Sequence, residues 1–130
     1  MRKTILLTAV VFCTLISAKA QLAGTKWQGI ISIPMQNGTM TPFPTVWEFK
    51  TDTLSVVYAM GKLPTDVMLF TEDNGVMTIR KISGSVPCDG DAIGKYAYEV
   101  KNDQLFIRKI EDACPARGGA DLSKPFDRVK

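Results

Sequence analysis

The chain has 130 residues, of which 45% are hydrophobic and 22% charged, and it contains no histidine. Without histidine, Ser–His–Asp and Cys–His catalytic arrangements are excluded. The formal net charge is +3, but Arg2, Lys3 and Lys19 account for it, because the 13 basic residues that follow equal the 13 acidic ones. Since that remainder has no run of Lys or Arg, we expect neither nucleic-acid nor anionic-membrane binding.

The N-terminus has the three-part layout of a secretory signal peptide. Two basic residues precede an almost unbroken apolar run over residues 5–17, and Ala18-Lys19-Ala20 is a small-x-small cleavage site. The sequence therefore predicts that residues 1–20 are cleaved, that the mature chain starts at Gln21, and that it is periplasmic or secreted. A retained anchor is the alternative, but the run has 13 residues, against about 20 for a membrane-spanning helix.

From residue 21 onward, short segments of alternating apolar and polar residues recur between turn residues, which predicts β-strands. In residues 95–101, Tyr96, Tyr98 and Val100 share one face, and in residues 45–50, Trp47 and Phe49 do so. In chain order, the predicted strands are 25–33, 45–50, 53–60, 66–70, 76–82, 95–101, 104–110 and 126–130.

The segments between these strands predict how they connect. Residues 51–52, 72–75 and 101–103 are rich in the Gly, Asn and Asp that tight hairpins require, so consecutive strands are expected to be antiparallel. No segment has the sustained 3.6-residue repeat of a crossover helix. We predict one all-β domain over residues 21–130, an antiparallel up-and-down barrel of about eight strands, because closure removes exposed edges.

The segment between the first two predicted strands allows two interpretations. Residues 34–44 contain three prolines, two methionines and Phe43, and Asn37-Gly38 is a strong hairpin signal. The segment is either a flap that carries apolar side chains over a barrel mouth, or an extension of both strands that covers the core.

Two cysteines, Cys88 and Cys114, remain after the leader, because Cys13 is lost with it. An even number in an oxidising compartment predicts a disulfide. Closing a loop of about 26 residues contributes roughly 3.5 kcal/mol in the chain-entropy model. A redox or metal pair, the alternative, would more naturally use C-x-x-C spacing or nearby histidines.

The first strand carries a resemblance to a known family. In Leu22-Ala23-Gly24-Thr25-Lys26-Trp27-Gln28-Gly29, a glycine closely precedes a tryptophan, and this start resembles the lipocalin-like (calycin) barrels of small secreted bacterial proteins. The resemblance implies that Trp27 plugs the closed end of a barrel and that Arg128, in the final strand, covers it. The spacing here is G-x-x-W rather than the usual G-x-W, and streptavidin-like barrels, which begin similarly, remain an alternative.

No catalytic or metal-binding pattern is evident. Asp89 with Asp91 lacks the further ligands of a calcium loop, and Glu111 with Asp112 is an isolated carboxylate pair. We therefore expect no enzyme activity, no metal and no cofactor.

The resemblance and the alternating strands favour a binding protein for a small apolar or amphipathic ligand. A protein-contact module such as a periplasmic protease inhibitor is the alternative, although residues 21–24 would give only a short N-terminal arm. No membrane span is expected, and the sequence indicates no particular protein partner. The candidate ligand-binding residues are Trp47, Phe49, Tyr58, Met60, Tyr96 and Tyr98.

Overall fold

The computed structural model describes residues 21–59 and 63–130. The predicted leader and Met60 lie outside these residues. Within them, no helix is long and apolar enough to cross a membrane.

The described chain forms one closed antiparallel barrel, in which each strand pairs with its neighbours in sequence and the last pairs with the first. This confirms the predicted all-β barrel of eight strands. A single helical turn, α1 (Pro115–Gly118), interrupts the connection before the last strand. The strands are β1 (Lys26–Pro34), β2 (Met40–Phe49), β3 (Thr53–Tyr58), β4 (Asp66–Asp73), β5 (Val76–Ser83), β6 (Gly94–Lys101), β7 (Gln104–Asp112) and β8 (Phe126–Arg128).

The proline-rich segment mostly extends the first two strands. β1 and β2 stay in register as far as Pro34 opposite Met40, with a hairpin loop over residues 35–39. The β2–β3 ladder begins only at Thr45, so Pro42 and Pro44 lie where β2 has a single ladder partner. A proline is tolerated there because its missing N–H breaks no second ladder.

The connections differ between the two ends of the barrel. At the short-turn end, residues 50–52, 74–75 and 102–103 link the strands, and Asn74, Asn102 and Asp103 have positive φ, as tight turns require. The long-loop end carries the described residues of the other connections, namely 35–39, 59, 63–65, 84–93 and 113–125. Since every other connection of an up-and-down barrel lies at the same end, the longer segments are gathered together.

The short-turn end is closed by packed side chains. Leu22 and Trp27 are fully buried, and the guanidinium carbon of Arg128 lies 4.4 Å from the centroid of the Trp27 ring. The Leu22 amide donates to Glu72 at 2.9 Å, and the Trp27 indole donates to Thr25 Oγ1 at 2.7 Å. The residues before β1 are therefore docked against this end of the barrel.

The disulfide ties two of the long connections together. Cys88, in the 84–93 connection, is bonded to Cys114, directly before α1, and their Cα atoms are 5.7 Å apart. The predicted pairing is confirmed. Because Cys114 is also the N-cap of α1, the bond fixes this helical turn to the neighbouring loop.

Candidate functional site

A cavity of about 250 Å³ opens at the long-loop end of the barrel. Its inner wall consists of buried, mostly apolar side chains of the strands, and its outer part is formed by the long connections. The wall includes Trp47, Val56, Met68, Met77 and Ile79, and the connections contribute Met35, Leu63, Ser85, Val86, Pro87, Ala116, Arg117, Ala120 and Leu122. A concave apolar surface with few polar groups is typical of small-molecule sites.

Three of the candidate ligand-binding residues, Trp47, Tyr58 and Tyr96, line this cavity. Phe49 does not: it is buried nearer the short-turn end, with its ring centroid 5.1 Å from that of Phe70. Phe49 follows Trp47 by two residues, so the same strand face carries it about 7 Å further along the barrel. Phe49 therefore lies in the barrel interior but not in the lining of this cavity.

Tyr98 is also absent from the cavity lining. It lies two residues beyond Tyr96 toward the short-turn end, and its hydroxyl donates to Glu72 at 3.0 Å. Burial, followed by this hydrogen bond and the Glu72 charge, raises the pKa of Tyr98 to about 12. Tyr98 thus belongs to the polar contacts of the short-turn end.

A buried ion pair, the Asp112 cluster, lies beside the cavity and consists of Asp112, Arg117 and Tyr96. The guanidinium donates to both carboxylate oxygens, from Nε at 2.7 Å and from Nη2 at 2.8 Å, and Nη2 also donates to the Ala92 carbonyl at 2.8 Å. The Tyr96 hydroxyl and the Cys114 amide donate to the same carboxylate. The Asp112 side chain is 0% exposed and that of Arg117 is 8% exposed, so this pair is withdrawn from water.

The local sequence explains how the Asp112 cluster forms. A Cβ at position 94 would lie 2.6 Å from Asp112 Oδ2, so the glycine there leaves room for the carboxylate. Pro115 starts α1 directly after the disulfide-bonded Cys114, and this turn carries Arg117 back over the end of β7. The disulfide and the ion pair therefore hold the same segment against the barrel.

The ionisation of the Asp112 cluster follows from its contacts. Burial by itself raises the pKa of Asp112, but hydrogen bonds from Arg117, Tyr96 and a backbone amide outweigh burial and hold the pKa below its ordinary value. Burial, reinforced by the hydrogen bond to Asp112, raises the pKa of the Tyr96 hydroxyl above its ordinary value. At neutral pH the cluster thus contains a carboxylate, a guanidinium and a neutral phenol.

A second polar group borders the cavity at Asp66, the first residue of β4, which is 1% exposed. Tyr58 donates to its carboxylate at 2.5 Å and the Ser85 amide at 2.6 Å, with further bonds from the Ser85 hydroxyl and the Val86 amide. Position 84 has a φ of +119° and approaches Asp66 so closely that only glycine fits. Burial, followed by the bond to Asp66, raises the pKa of Tyr58 above its ordinary value.

Sequence reasoning missed Asp66 and Arg117 as cavity residues and Asp112 as the buried partner of Arg117. Asp66 was visible only as the start of a strand, and Asp112 only as one member of a carboxylate pair. A charged residue at the first or last position of a strand is only a weak indication of a buried site, because most such residues face solvent. What buries these two carboxylates is the meeting of distant connections at the long-loop end.

Two buried N–H donors at the cavity have no acceptor. Trp47 Nε1 and Arg117 Nη1 are without a hydrogen-bond partner in the described part of the chain, residues 21–59 and 63–130. Both side chains line the cavity. Buried donors are nearly always satisfied in folded proteins, so both groups call for an explanation.

Among residues 21–59 and 63–130, no group of three or more His, Cys, Asp and Glu side chains is arranged to hold a metal ion. Comparisons of the chain with protein-family models, with curated proteins and with solved structures found no match. The geometry of the cavity is therefore the main basis for a functional hypothesis.

Proposed function

We propose that this chain is a periplasmic or secreted, lipocalin-like binding protein for a small apolar or amphipathic molecule. The carrying observation is the apolar cavity at the long-loop end, which Trp47, Tyr58 and Tyr96 border. An eight-stranded barrel is just wide enough either to be filled by side chains or to hold one small ligand. The open volume of about 250 Å³ favours the second case.

The volume of the cavity bounds the size of the ligand. An apolar cavity of about 150 Å³ is known to hold benzene, and sites for drug-sized ligands start at about 300 Å³. The 250 Å³ available here suits a one-ring or two-ring compound or a chain of medium length. A long-chain lipid would leave much of its length outside.

The disulfide supports the proposed location, because such bonds persist in oxidising compartments. The signal-peptide pattern of residues 1–20 points the same way. Expression with the native leader should give extracytoplasmic protein whose intact mass corresponds to a start at Gln21. A retained leader would contradict this part of the proposal.

The N-terminal arm bears on the alternative function. An inhibitor that uses such an arm needs it free to enter a protease, whereas Leu22 is fully buried and bonded to Glu72. This docking supports ligand binding over inhibition by the arm. Assays against a panel of proteases test the alternative directly.

Titration of small aromatic and medium-chain compounds against tryptophan fluorescence tests the proposal. We expect saturable changes that disappear in Ala116→Phe, which places a large side chain in the cavity lining. Ala97→Phe is the matched control, because residue 97 follows Tyr96 on the opposite face of β6 and is not part of that lining. No saturable change with any compound, or equal binding by both variants, would refute ligand binding in this cavity.

A further inference from the structure

The two unpartnered donors specify the ligand more closely, provided that the proposed binding function is correct. Trp47 is 6% exposed and the Arg117 side chain 8% exposed, so neither reaches bulk water freely. The other Arg117 nitrogens are already bonded, to Asp112 and to the Ala92 carbonyl. Trp47 and Arg117 both line the cavity, and each has one N–H group for which residues 21–59 and 63–130 provide no acceptor.

The neighbouring tryptophan shows that this feature is particular to the cavity. Trp27 is also fully buried, yet its indole N–H donates to Thr25 Oγ1 at 2.7 Å. Within the described part of the chain, the indole of Trp27 at the closed end thus has an acceptor, whereas the indole of Trp47 has none. An unmade bond of this kind costs free energy, which an incoming acceptor would recover.

The charges around the cavity decide between a neutral and an anionic acceptor. Arg117 is already neutralised by Asp112, and the second carboxylate, Asp66, itself lines the cavity. Among the described lining residues, the one cation is therefore already paired. An anionic ligand would lose its hydration without gaining a free cation, which is unfavourable, whereas a neutral carbonyl oxygen costs less to desolvate and offers two lone pairs.

We propose that the cavity binds a neutral, largely apolar molecule that carries a carbonyl or an equivalent acceptor, and that this acceptor takes a hydrogen bond from Trp47 Nε1–H, from Arg117 Nη1–H or from both. The class includes aromatic ketones, esters, lactones and quinones of one or two rings. Fatty acids in their ionised form and unsubstituted hydrocarbons are disfavoured members of the broader proposed ligand set.

Three one-ring probes of similar shape test this proposal: cumene, which has no acceptor, acetophenone, which has a neutral carbonyl, and benzoate, which is an anion. The chain contains two tryptophans, so the indole N–H resonances of ¹⁵N-labelled protein report on both. We expect acetophenone to move the Trp47 indole proton further downfield than cumene does, while Trp27 stays unchanged. Benzoate should bind more weakly than acetophenone.

Trp47→Phe removes the indole donor and keeps an aromatic wall, and Arg117→Lys removes Nη1 and keeps the positive charge. In at least one of these variants, the dissociation constant of acetophenone should rise about fivefold more than that of cumene, within the range of one hydrogen bond. Trp27→Phe is the matched control and should affect both probes equally. If a variant fails to fold, the unmodified protein still decides the matter: its indole shift tests the Trp47 donor, and its Arg117 guanidinium N–H resonances test the Arg117 donor.

The outcomes separate this inference from the proposed function. Suppose that cumene and acetophenone both bind, that they shift the Trp47 indole equally, and that each variant weakens the affinity for both probes by the same factor. This result would overturn the inference and leave the binding function standing. Tighter binding of benzoate than of acetophenone would overturn the choice of a neutral ligand. Failure of all three probes, together with failure of the wider panel, would refute the binding function itself.

Discussion

The Asp112 cluster gives the sharpest prediction for stability, through the substitution Arg117→Met. This change removes two hydrogen bonds from Asp112 and one from the Ala92 carbonyl. The carboxylate, which is 0% exposed, keeps only the Tyr96 hydroxyl and the Cys114 amide as donors. Breaking a buried pair by removing one partner costs about 3–5 kcal/mol, because it leaves an uncompensated charge. Since net stabilities are typically about 5–15 kcal/mol, we expect a large fall in the free energy of unfolding.

The pH dependence of that loss has a definite sign. In the wild type, the pKa of Asp112 is held below its ordinary value. The contribution of Asp112 to the free energy of unfolding is therefore present above about pH 4, and it is lost as the pH falls through the lowered pKa of the folded state. Without the guanidinium, burial is opposed only by the Tyr96 hydroxyl and the Cys114 amide, so the pKa of Asp112 moves upward from its wild-type value. Protonation then relieves the buried charge at a higher pH than in the wild type, so the deficit of Arg117→Met should shrink as the pH falls through the raised pKa.

Urea unfolding of the disulfide-bonded protein at several pH values measures both effects. The control is Lys95→Met, which breaks the exposed pair of Lys95 with Glu111, whose side chains are 48% and 67% exposed. Such a surface pair contributes about 0–1 kcal/mol. Adding Asp112→Asn to Arg117→Met should recover part of the loss. A loss for Arg117→Met no larger than that for Lys95→Met, or a deficit that grows on acidification, would refute this reasoning.

Three further predictions concern the rest of the barrel. Trp27→Ala should lower the free energy of unfolding by about 3–5 kcal/mol, because it leaves a cavity at the closed end. Arg128→Ala removes a half-exposed cation–π contact and should lower it by about 1 kcal/mol or less. Equal melting temperatures for the two variants would contradict this. Replacing Cys88 and Cys114 together by serine should lower the free energy of unfolding by roughly 3.5 kcal/mol and weaken ligand binding, since the bond anchors two cavity connections; unchanged urea midpoint and affinity would refute it. Ultraviolet titration should show Tyr98 ionising near pH 12, with stability lost as the pH rises from about 10 toward that value; half-ionisation of the folded protein near pH 10 would contradict it.

Much of the barrel could be predicted from local patterns. The alternation in residues 95–101 identified β6. Asn74-Gly75 and Asn102-Asp103 identified two tight turns of the barrel, because the positive φ at such residues is a local property. The end of β1 and the start of β2 were harder. Whether Pro42 and Pro44 can lie in a strand depends on which side of β2 is paired, and only the barrel decides that.

The candidate site shows the same division. Alternation placed Trp47, Phe49, Tyr58 and Tyr96 on the interior face, but it carries no information on depth along the barrel, so Phe49 was grouped with the cavity residues although it belongs to the core. Arg117 and Asp66 lie far apart in sequence, and each is an ordinary charged residue in its own neighbourhood. Their relation to one cavity depends on long-range contacts.

The sequence alone determined the strand pattern, the antiparallel order and the pair of cysteines. Alternation and turn chemistry depend on only a few neighbouring residues, and the even number of cysteines can be counted directly. Only the tertiary structure decided that the long connections meet at one end, that a cavity remains beneath them and that two carboxylates are buried beside it. These features arise from barrel closure, which brings β8 against β1 and so joins residues about a hundred positions apart.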